Sequence, residues 1–230
     1  MAKTIVVVGY GPGVSSAVAE RFGAEGFAVA LVARNRERLA AGVDALKARG
    51  VAAAACPADA GDPAAITAAI GEARAALGPI GAIHWNAYGG GVGGDLLTAS
   101  PAEVRSVFDV AVGGLLAAAQ AALPDLKAAG DGAVLVTNGA YGELNPQMDA
   151  FAVSQRNMGL AVANAAKHKL IGLLAERLKA DGVYVGEVMI AGVVRGTAFD
   201  TGGPSIDPAR IAGEFWRLYR ARGELYARVT

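Results

Sequence analysis

A short apolar run followed at once by glycines constrains this chain more than any other feature of its sequence. Residues 5–15 read IVVVGYGPGVS, and the β-branched residues at their start are typical of a buried parallel strand. Gly9, Gly11 and Gly13 come next. Apolar residues at helical spacing then begin at Val14. Glycines here let the backbone turn tightly and approach a pyrophosphate, which the free N–H groups of the following helix can bind. The pattern predicts a dinucleotide site; the alternative is that the glycines serve only a tight turn.

Length and charge narrow the class further. At 230 residues the chain suits one α/β domain over residues 1–230. Its 21 acidic and 21 basic residues cancel, which argues against nucleic acid or a membrane as the main partner and leaves a small-molecule substrate. The single Cys56 excludes an internal disulfide and a cysteine-based metal site, and no metal is expected. Without a signal-peptide pattern or an apolar run near about 18 residues, the expected location is the cytoplasm.

Strand and helix patterns alternate from one end of the chain to the other. Strands are predicted over 6–8, 28–32, 51–56, 83–85, 133–137 and 183–190, and helices over 36–47, 101–123, 156–180 and 208–222. Three helix starts pair an N-capping side chain with proline, at Asp62-Pro63, Ser100-Pro101 and Asp207-Pro208. Such alternation predicts a Rossmann-type doubly wound parallel sheet with strand order 3-2-1-4-5-6. Ligands then bind beyond the carboxyl ends of the strands.

The segments after these strands resemble the short-chain dehydrogenase/reductase family over nearly the whole chain. The family's glycine motif matches residues 8–15, its adenine-binding aspartate matches Asp59, and its NNAG motif matches residues 85–88. Its PG turn matches residues 191–192, with Thr197 near the carboxamide-binding threonine. The family usually has a seventh strand, which is left open over 225–229 because the glycine-rich ending is missing. With the loop after strand two, the implied cofactor-binding set is Gly9, Gly11, Pro12, Gly13, Val14, Arg34, Asn35, Arg38, Asp59, Ala60, Asn86, Ala87, Tyr88, Asn164, Gly192, Val193 and Thr197.

The family's catalytic residues are absent from the matching positions. Its asparagine falls on Ala111 and its serine on Gly139. Counting back from LLAERL places its Tyr-x-x-x-Lys pair on Leu160 and Asn164. Loss of a positioned acid or base typically costs about 10²–10⁴ in rate. The resemblance therefore implies the fold and the cofactor, and it leaves the proton donor open.

A second register and several substitute residues stay open. Counting forward from the end of strand five places the Tyr-x-x-x-Lys pair on Phe151 and Gln155, although the first register aligns the downstream helix without a gap. Tyr141 is the candidate proton donor, with Lys167 as electrostatic support and Asn164 as a ribose ligand. The alternatives are that Tyr141 only lines the pocket and that Lys167 belongs to a solvated helix stripe.

Six side chains have less specific expectations. His84, Trp85 and Cys56 are expected in the core, and Phe151 is expected on a substrate-side loop with Gln147 and Met148.

The loop after strand two favours NADP(H) over NAD(H). Ala33 stands where NAD-preferring members carry an acidic residue for the ribose 2′-hydroxyl. Arg34, Asn35 and Arg38 follow, and a guanidinium suits a 2′-phosphate. The alternative is that these arginines are ordinary surface residues. One departure is Pro12, since many NADP-binding members carry a basic residue inside the glycine motif.

Two functions from different classes follow. The first is an NADP(H)-dependent oxidoreductase that reduces a carbonyl or related acceptor with a non-standard active site, and the second is a catalytically inactive dinucleotide-binding or sensor protein. Small residues on the fourth and fifth helices, including Gly113, Gly114, Ala161 and Ala165, also predict a homodimer or homotetramer, because the family packs these helices against their symmetry mates.

Overall fold

A seven-stranded parallel sheet forms the centre of the molecule. The computed structural model describes residues 3–89 and 93–230. The strands are β1 Thr4–Val8, β2 Ala28–Ala33, β3 Ala53–Pro57, β4 Ile80–Trp85, β5 Ala133–Gly139, β6 Tyr184–Ile190 and β7 Tyr226–Val229. Their order in the sheet is β3-β2-β1-β4-β5-β6-β7, which confirms the predicted order and adds the seventh strand.

Helices cover both faces of this sheet. They are α1 Val14–Ala24, α2 Arg36–Ala48, α3 Pro63–Leu77, α4 Pro101–Phe108, α5 Leu115–Ala128, α6 Pro146–Ser154, α7 Met158–Leu178 and α8 Pro208–Ala221. The carboxylates of Asp62 and Asp207 and the hydroxyl of Ser100 accept hydrogen bonds from the first turns of α3, α8 and α4, as the proline-led patterns predicted. Each cap satisfies N–H groups that a helix leaves unpaired at its start.

Two helical regions differ from the sequence prediction. The helix expected over 101–123 contains a π-helical segment, Asp109–Gly114, between α4 and α5. The expected substrate-side loop contains α6, whose start is capped by the Asn145 side chain and led by Pro146. The prediction missed this Asn-Pro signal. Helix α7 begins at Met158 and not at Arg156, because Arg156 takes a positive φ of 52° between the two helices.

The side chains on the two faces of β1 belong to two separate apolar cores. Ile5 and Val7 pack into a cluster with α1, α2 and α8, whereas Val6 and Val8 pack into a cluster with α3, α5 and α7. A strand buried on both faces is typical of a parallel sheet between two helix layers. The carboxyl ends of β1, β2, β4 and β5 consequently lie together at one edge.

One helical run is more apolar than the sequence analysis expected. By length and composition Pro101–Ala128 could cross a membrane, with a hydropathy of 1.6. Its second part, α5, packs against α3 and β4, and Leu115, Ala118 and Leu126 are buried there. In this fold it is a core helix.

Candidate active site

The glycine loop after β1 is built by close backbone contacts. Gly9 has a φ of 83°, and a methyl group on it would lie 2.5 Å from the amide nitrogen of Ala87. Gly13 has a φ of 89°, and a methyl group there would lie 2.6 Å from Cγ2 of Thr197. Both positions therefore require glycine for space as well as for conformation. The loop is held between the segments that follow β4 and β6.

Within the described part of the chain, no side chain caps the start of α1. Its N-cap is Gly13, which has no side chain to accept from the helix, whereas α2, α3 and α4 are all capped by side chains. Ser15, which replaces the last glycine of the family motif, accepts from the Gly11 N–H and donates to the Gly11 carbonyl, both at 2.9 Å. Uncapped N–H groups at a helix start attract anions, so this geometry suits a pyrophosphate.

A cleft of about 550 Å³ opens at the carboxyl ends of β1, β2 and β4. Eight predicted cofactor residues line it: Gly9, Arg34, Asn35, Arg38, Asp59, Ala60, Ala87 and Tyr88. The other predicted residues lie outside its lining: Gly11, Pro12, Gly13, Val14, Asn86, Asn164, Gly192, Val193 and Thr197. The sequence analysis missed several lining residues on neighbouring segments, namely Tyr10, Gly61, Asp62, Ser106, Asp109 and Val110. Apart from their position beside matched motifs, these residues carry no motif of their own.

Two arginines lie at the end of the cleft beyond β2. The Arg34 guanidinium lies 3.9 Å from the Asp59 carboxylate, and both side chains are largely exposed. The Asp59 carboxylate also accepts from the N–H of Gly61 at 2.9 Å. Arg38 extends toward the glycine loop, with Nη1 3.7 Å from the place of a methyl group on Gly11. Asn35 caps α2 by accepting from the Arg38 N–H. Two guanidinium groups thus lie at this end of the cleft, and the Asp59 carboxylate lies beside one of them.

The family's serine and lysine positions adjoin each other at the end of β5. A methyl group on Gly139 would lie 2.8 Å from Nδ2 of Asn164, and that nitrogen donates to the Gly139 carbonyl at 3.4 Å. Asn164 is buried on α7. Ala111 is buried inside the π-helical segment, and Leu160 lies in the first turn of α7. The second register assigns the Tyr-x-x-x-Lys pair to Phe151 and Gln155. Phe151 lies on α6, and Gln155 lies at the end of that helix.

The predicted pairing of Tyr141 with Lys167 is not made by a hydrogen bond among the described residues. The Tyr141 hydroxyl accepts from Nδ2 of Asn157 at 3.3 Å, and its ring stacks on Phe151 with centroids 5.6 Å apart. Lys167 is buried and not part of a solvated stripe. Burial lowers the pKa of Lys167 to about 8, against the attraction of Glu187.

A buried carboxylate that the sequence analysis missed lies behind these positions. Glu187, in the middle of β6, is fully buried, and its Oε2 lies 2.6 Å from Nδ1 of His168. Its Oε1 accepts a short hydrogen bond from Nδ2 of Asn138. The signal available in the sequence was a charged residue inside an otherwise apolar strand.

The side chains expected in the core lie there. His84 is fully buried, bonds Thr137 through Nε2 at 3.0 Å, and has its pKa lowered to about 3 by burial. Trp85 and Cys56 are buried, and burial raises the pKa of the Cys56 thiol to about 11. Tyr88, by contrast, is half-exposed in the cleft and pairs with the Phe199 ring at 5.9 Å.

The parallel order with β1 between β2 and β4, its glycine loop and the cleft at its carboxyl edge define a dinucleotide-binding fold. The family described as short chain dehydrogenase matches residues 3–201, and the chain belongs to this family.

Individual relatives agree with this placement. The chain is 35% identical over 127 residues to 3-dehydrosphinganine reductase TSC10B of Arabidopsis thaliana, a match over 55% of this chain and 37% of that reductase. The matched segment thus spans little more than a third of that relative's length. A metagenomic short-chain oxidoreductase in complex with NADP is 26% identical, with a TM-score of 0.80 over 99% of this chain and 96% of that one. L-sorbose reductase of Gluconobacter frateurii, 21% identical, shares the fold with a TM-score of 0.84 over 100% and 95% of the two chains.

Proposed function

We propose that this protein is an NADP(H)-dependent oxidoreductase that reduces a carbonyl or related group of a small molecule with a non-standard proton donor. The cleft between the uncapped start of α1 and the two arginines beyond β2 carries this proposal. The NADP complex of the metagenomic relative and the reductase named in the Arabidopsis match support it.

Different residues of the chain bind the cofactor and transfer the proton. The glycine loop and the α1 N–H groups bind the pyrophosphate, and Arg34 with Arg38 binds the 2′-phosphate. Asn164 offers an amide to the nicotinamide ribose in place of the family's lysine. When bound, the cofactor supplies the hydride. Tyr141, oriented by Asn157 and by its stacking on Phe151, donates the proton to the substrate oxygen.

The test combines direct binding with turnover. NADPH and NADH dissociation constants are measured by fluorescence, and NADPH consumption is followed with a panel of ketones, aldehydes and imines. Tighter binding of NADPH together with turnover of one substrate class supports the proposal. Tight binding without turnover of any acceptor would favour the alternative, a dinucleotide-binding sensor on the same fold.

We further propose a homodimer or homotetramer located in the cytoplasm. Val162 and Leu173 on α7 and Phe108 on α4 are exposed apolar side chains, and small residues beside them allow helices to approach closely. The single, buried Cys56 suits a reducing compartment. Light scattering at micromolar concentration tests the assembly, and a monomeric mass would reject it.

A further inference from the structure

A cluster of titratable side chains lies inside the protein behind the proposed active site. Glu187 on β6 is fully buried, Lys167 on α7 is 4% exposed, and the imidazole of His168 bonds the Glu187 carboxylate. Replacing a buried, paired charge cluster by well-packed apolar residues of similar volume is often neutral or stabilising. Stability alone therefore does not explain this cluster.

Asn138 links the cluster to the end of β5 and to α7. Nδ2 of Asn138 donates both to the Glu187 carboxylate and, at 3.0 Å, to the main-chain carbonyl of Asn164. Oδ1 of Asn138 accepts from the Gly139 N–H at 3.0 Å. The amide thus joins the end of β5 to α7 at the two positions where the family carries its serine and lysine. Because Asn138 is buried, it has no water to replace a lost partner.

We propose that Glu187 is a positioning residue: its carboxylate, which also bonds His168, holds Asn138 in place and so sets the contact between Gly139 and Asn164. The effect on cofactor binding rests on the proposed function, whereas the link from Glu187 through Asn138 to the Gly139–Asn164 contact does not. When Lys167 loses its proton, the buried carboxylate loses the attraction of that charge. The position of the carboxylate, and with it that of Asn138, should then shift.

The charges around the cluster come from a few elements. Helix α7 contributes Lys167 and His168, and β7 contributes Tyr226, whose ring lies 4.5 Å from that of His168. Burial and the Glu187 charge raise the pKa of Tyr226. Two residues further along β7, Arg228 pairs with Glu143. Strand β5 presents the neutral amide of Asn138. Since the pKa of Lys167 is about 8, its charge changes near neutral pH while the tyrosine stays protonated.

The experiment follows the cofactor-free protein and the NADPH complex between about pH 7 and about pH 9.5. In the wild type, the NMR signals of the Gly139 amide and the Asn138 side-chain amide should move with a midpoint near the pKa of Lys167, and the NADPH dissociation constant should rise across the same interval. In Glu187→Gln both profiles should be flat. At neutral pH, NADPH should bind about tenfold more weakly, which is the change in affinity expected from the loss of one buried hydrogen bond.

Asp125→Asn is the matched control. Asp125 is a largely buried carboxylate that pairs with Arg74 at 2.6 Å between α5 and α3, so its loss should lower stability and leave both profiles unchanged. If Glu187→Gln does not fold, Lys167→Met removes the titrating charge and should flatten the same profiles. Wild-type profiles in a folded Glu187→Gln or Lys167→Met protein, or flat profiles in Asp125→Asn, would overturn the proposal. If the wild type binds no NADPH, the proposed function fails. The NMR signals of Gly139 and Asn138 still test whether Glu187 holds Asn138 in place.

Discussion

The cofactor half and the proposed catalytic half of the site are built in different ways. At the end of β1 the site consists of glycines and of backbone groups in close contact, such as Gly9 against Ala87. At the end of β5 it consists of side chains, and Asn138, Asn164 and Glu187 form buried hydrogen bonds there. The first half keeps the family pattern, and the second half has replaced the family's residues.

The difference shows which parts of such a site can change. A backbone that passes within van der Waals distance of another segment leaves no room for a new side chain. Gly9 and Gly13 therefore cannot be replaced by larger residues without destabilising the fold. A proton donor, by contrast, is one side chain facing a cleft, and it can be replaced while the sheet stays intact. Four predictions test this division, beginning with the largest expected effect.

Gly9→Ala should be the most damaging single change in the cofactor half. Its φ of 83° and a methyl group 2.5 Å from the Ala87 nitrogen combine backbone strain with overpacking, together about 2–6 kcal/mol of lost stability. Urea unfolding measures the loss. Gly71→Ala on α3, where a methyl group meets nothing within 4 Å, is the control and should be neutral or slightly stabilising. Equal stability of Gly9→Ala and the wild type would contradict the account of this half.

Tyr141→Phe should lower turnover by about 10²-fold or more, because it removes only the proposed proton donor. NADPH affinity should stay the same, since the ring and its stacking on Phe151 remain. Steady-state kinetics and cofactor titration measure the two quantities. The control is Tyr184→Phe, whose hydroxyl bonds the Glu224 carbonyl at the start of β6. Unaltered turnover in Tyr141→Phe would transfer the role to Tyr88, Lys167, ordered water or the substrate.

Arg34→Asp should weaken NADPH binding by about 10- to 100-fold, the factor of one hydrogen bond between charged groups. The new carboxylate should also improve NADH binding, because it can accept from the ribose 2′-hydroxyl. The comparison variant is Arg36→Asp, one helical position beyond the cap and outside the lining of the cleft. Equal affinity of the wild type for both cofactors would refute the predicted preference.

The buried Lys167 should give the smallest effect, a dependence of stability on pH. Its folded pKa of about 8 lies below the unfolded value of 10.5, so between them the unfolded chain holds more protons and stability rises with pH. The rise should be on the order of 1–2 kcal/mol from about pH 8 to about pH 9.5. Urea unfolding of the wild type and Lys167→Met measures it. The variant should lack this component, and identical slopes would show that Lys167 does not titrate in the folded interior.

Much of the molecule follows from local sequence patterns. Apolar strands alternating with helices gave the strand order, and the Asp-Pro and Ser-Pro pairs gave three helix starts, because capping depends on residues within one turn. The predicted cofactor residues that line the cleft come from the segments after β1, β2, β3 and β4, because each segment follows directly on its strand.

Other features depend on segments far apart in the chain, and only the tertiary structure decided them. Lys167 lies in a polar triplet that suggests a solvated face, yet α7 turns it inward toward a carboxylate on β6. Glu187 and Asn138 meet because β5 and β6 pair in register, which no local pattern encodes. Strand propensity and capping are properties of neighbouring residues, whereas burial and charge pairing arise from packing between elements.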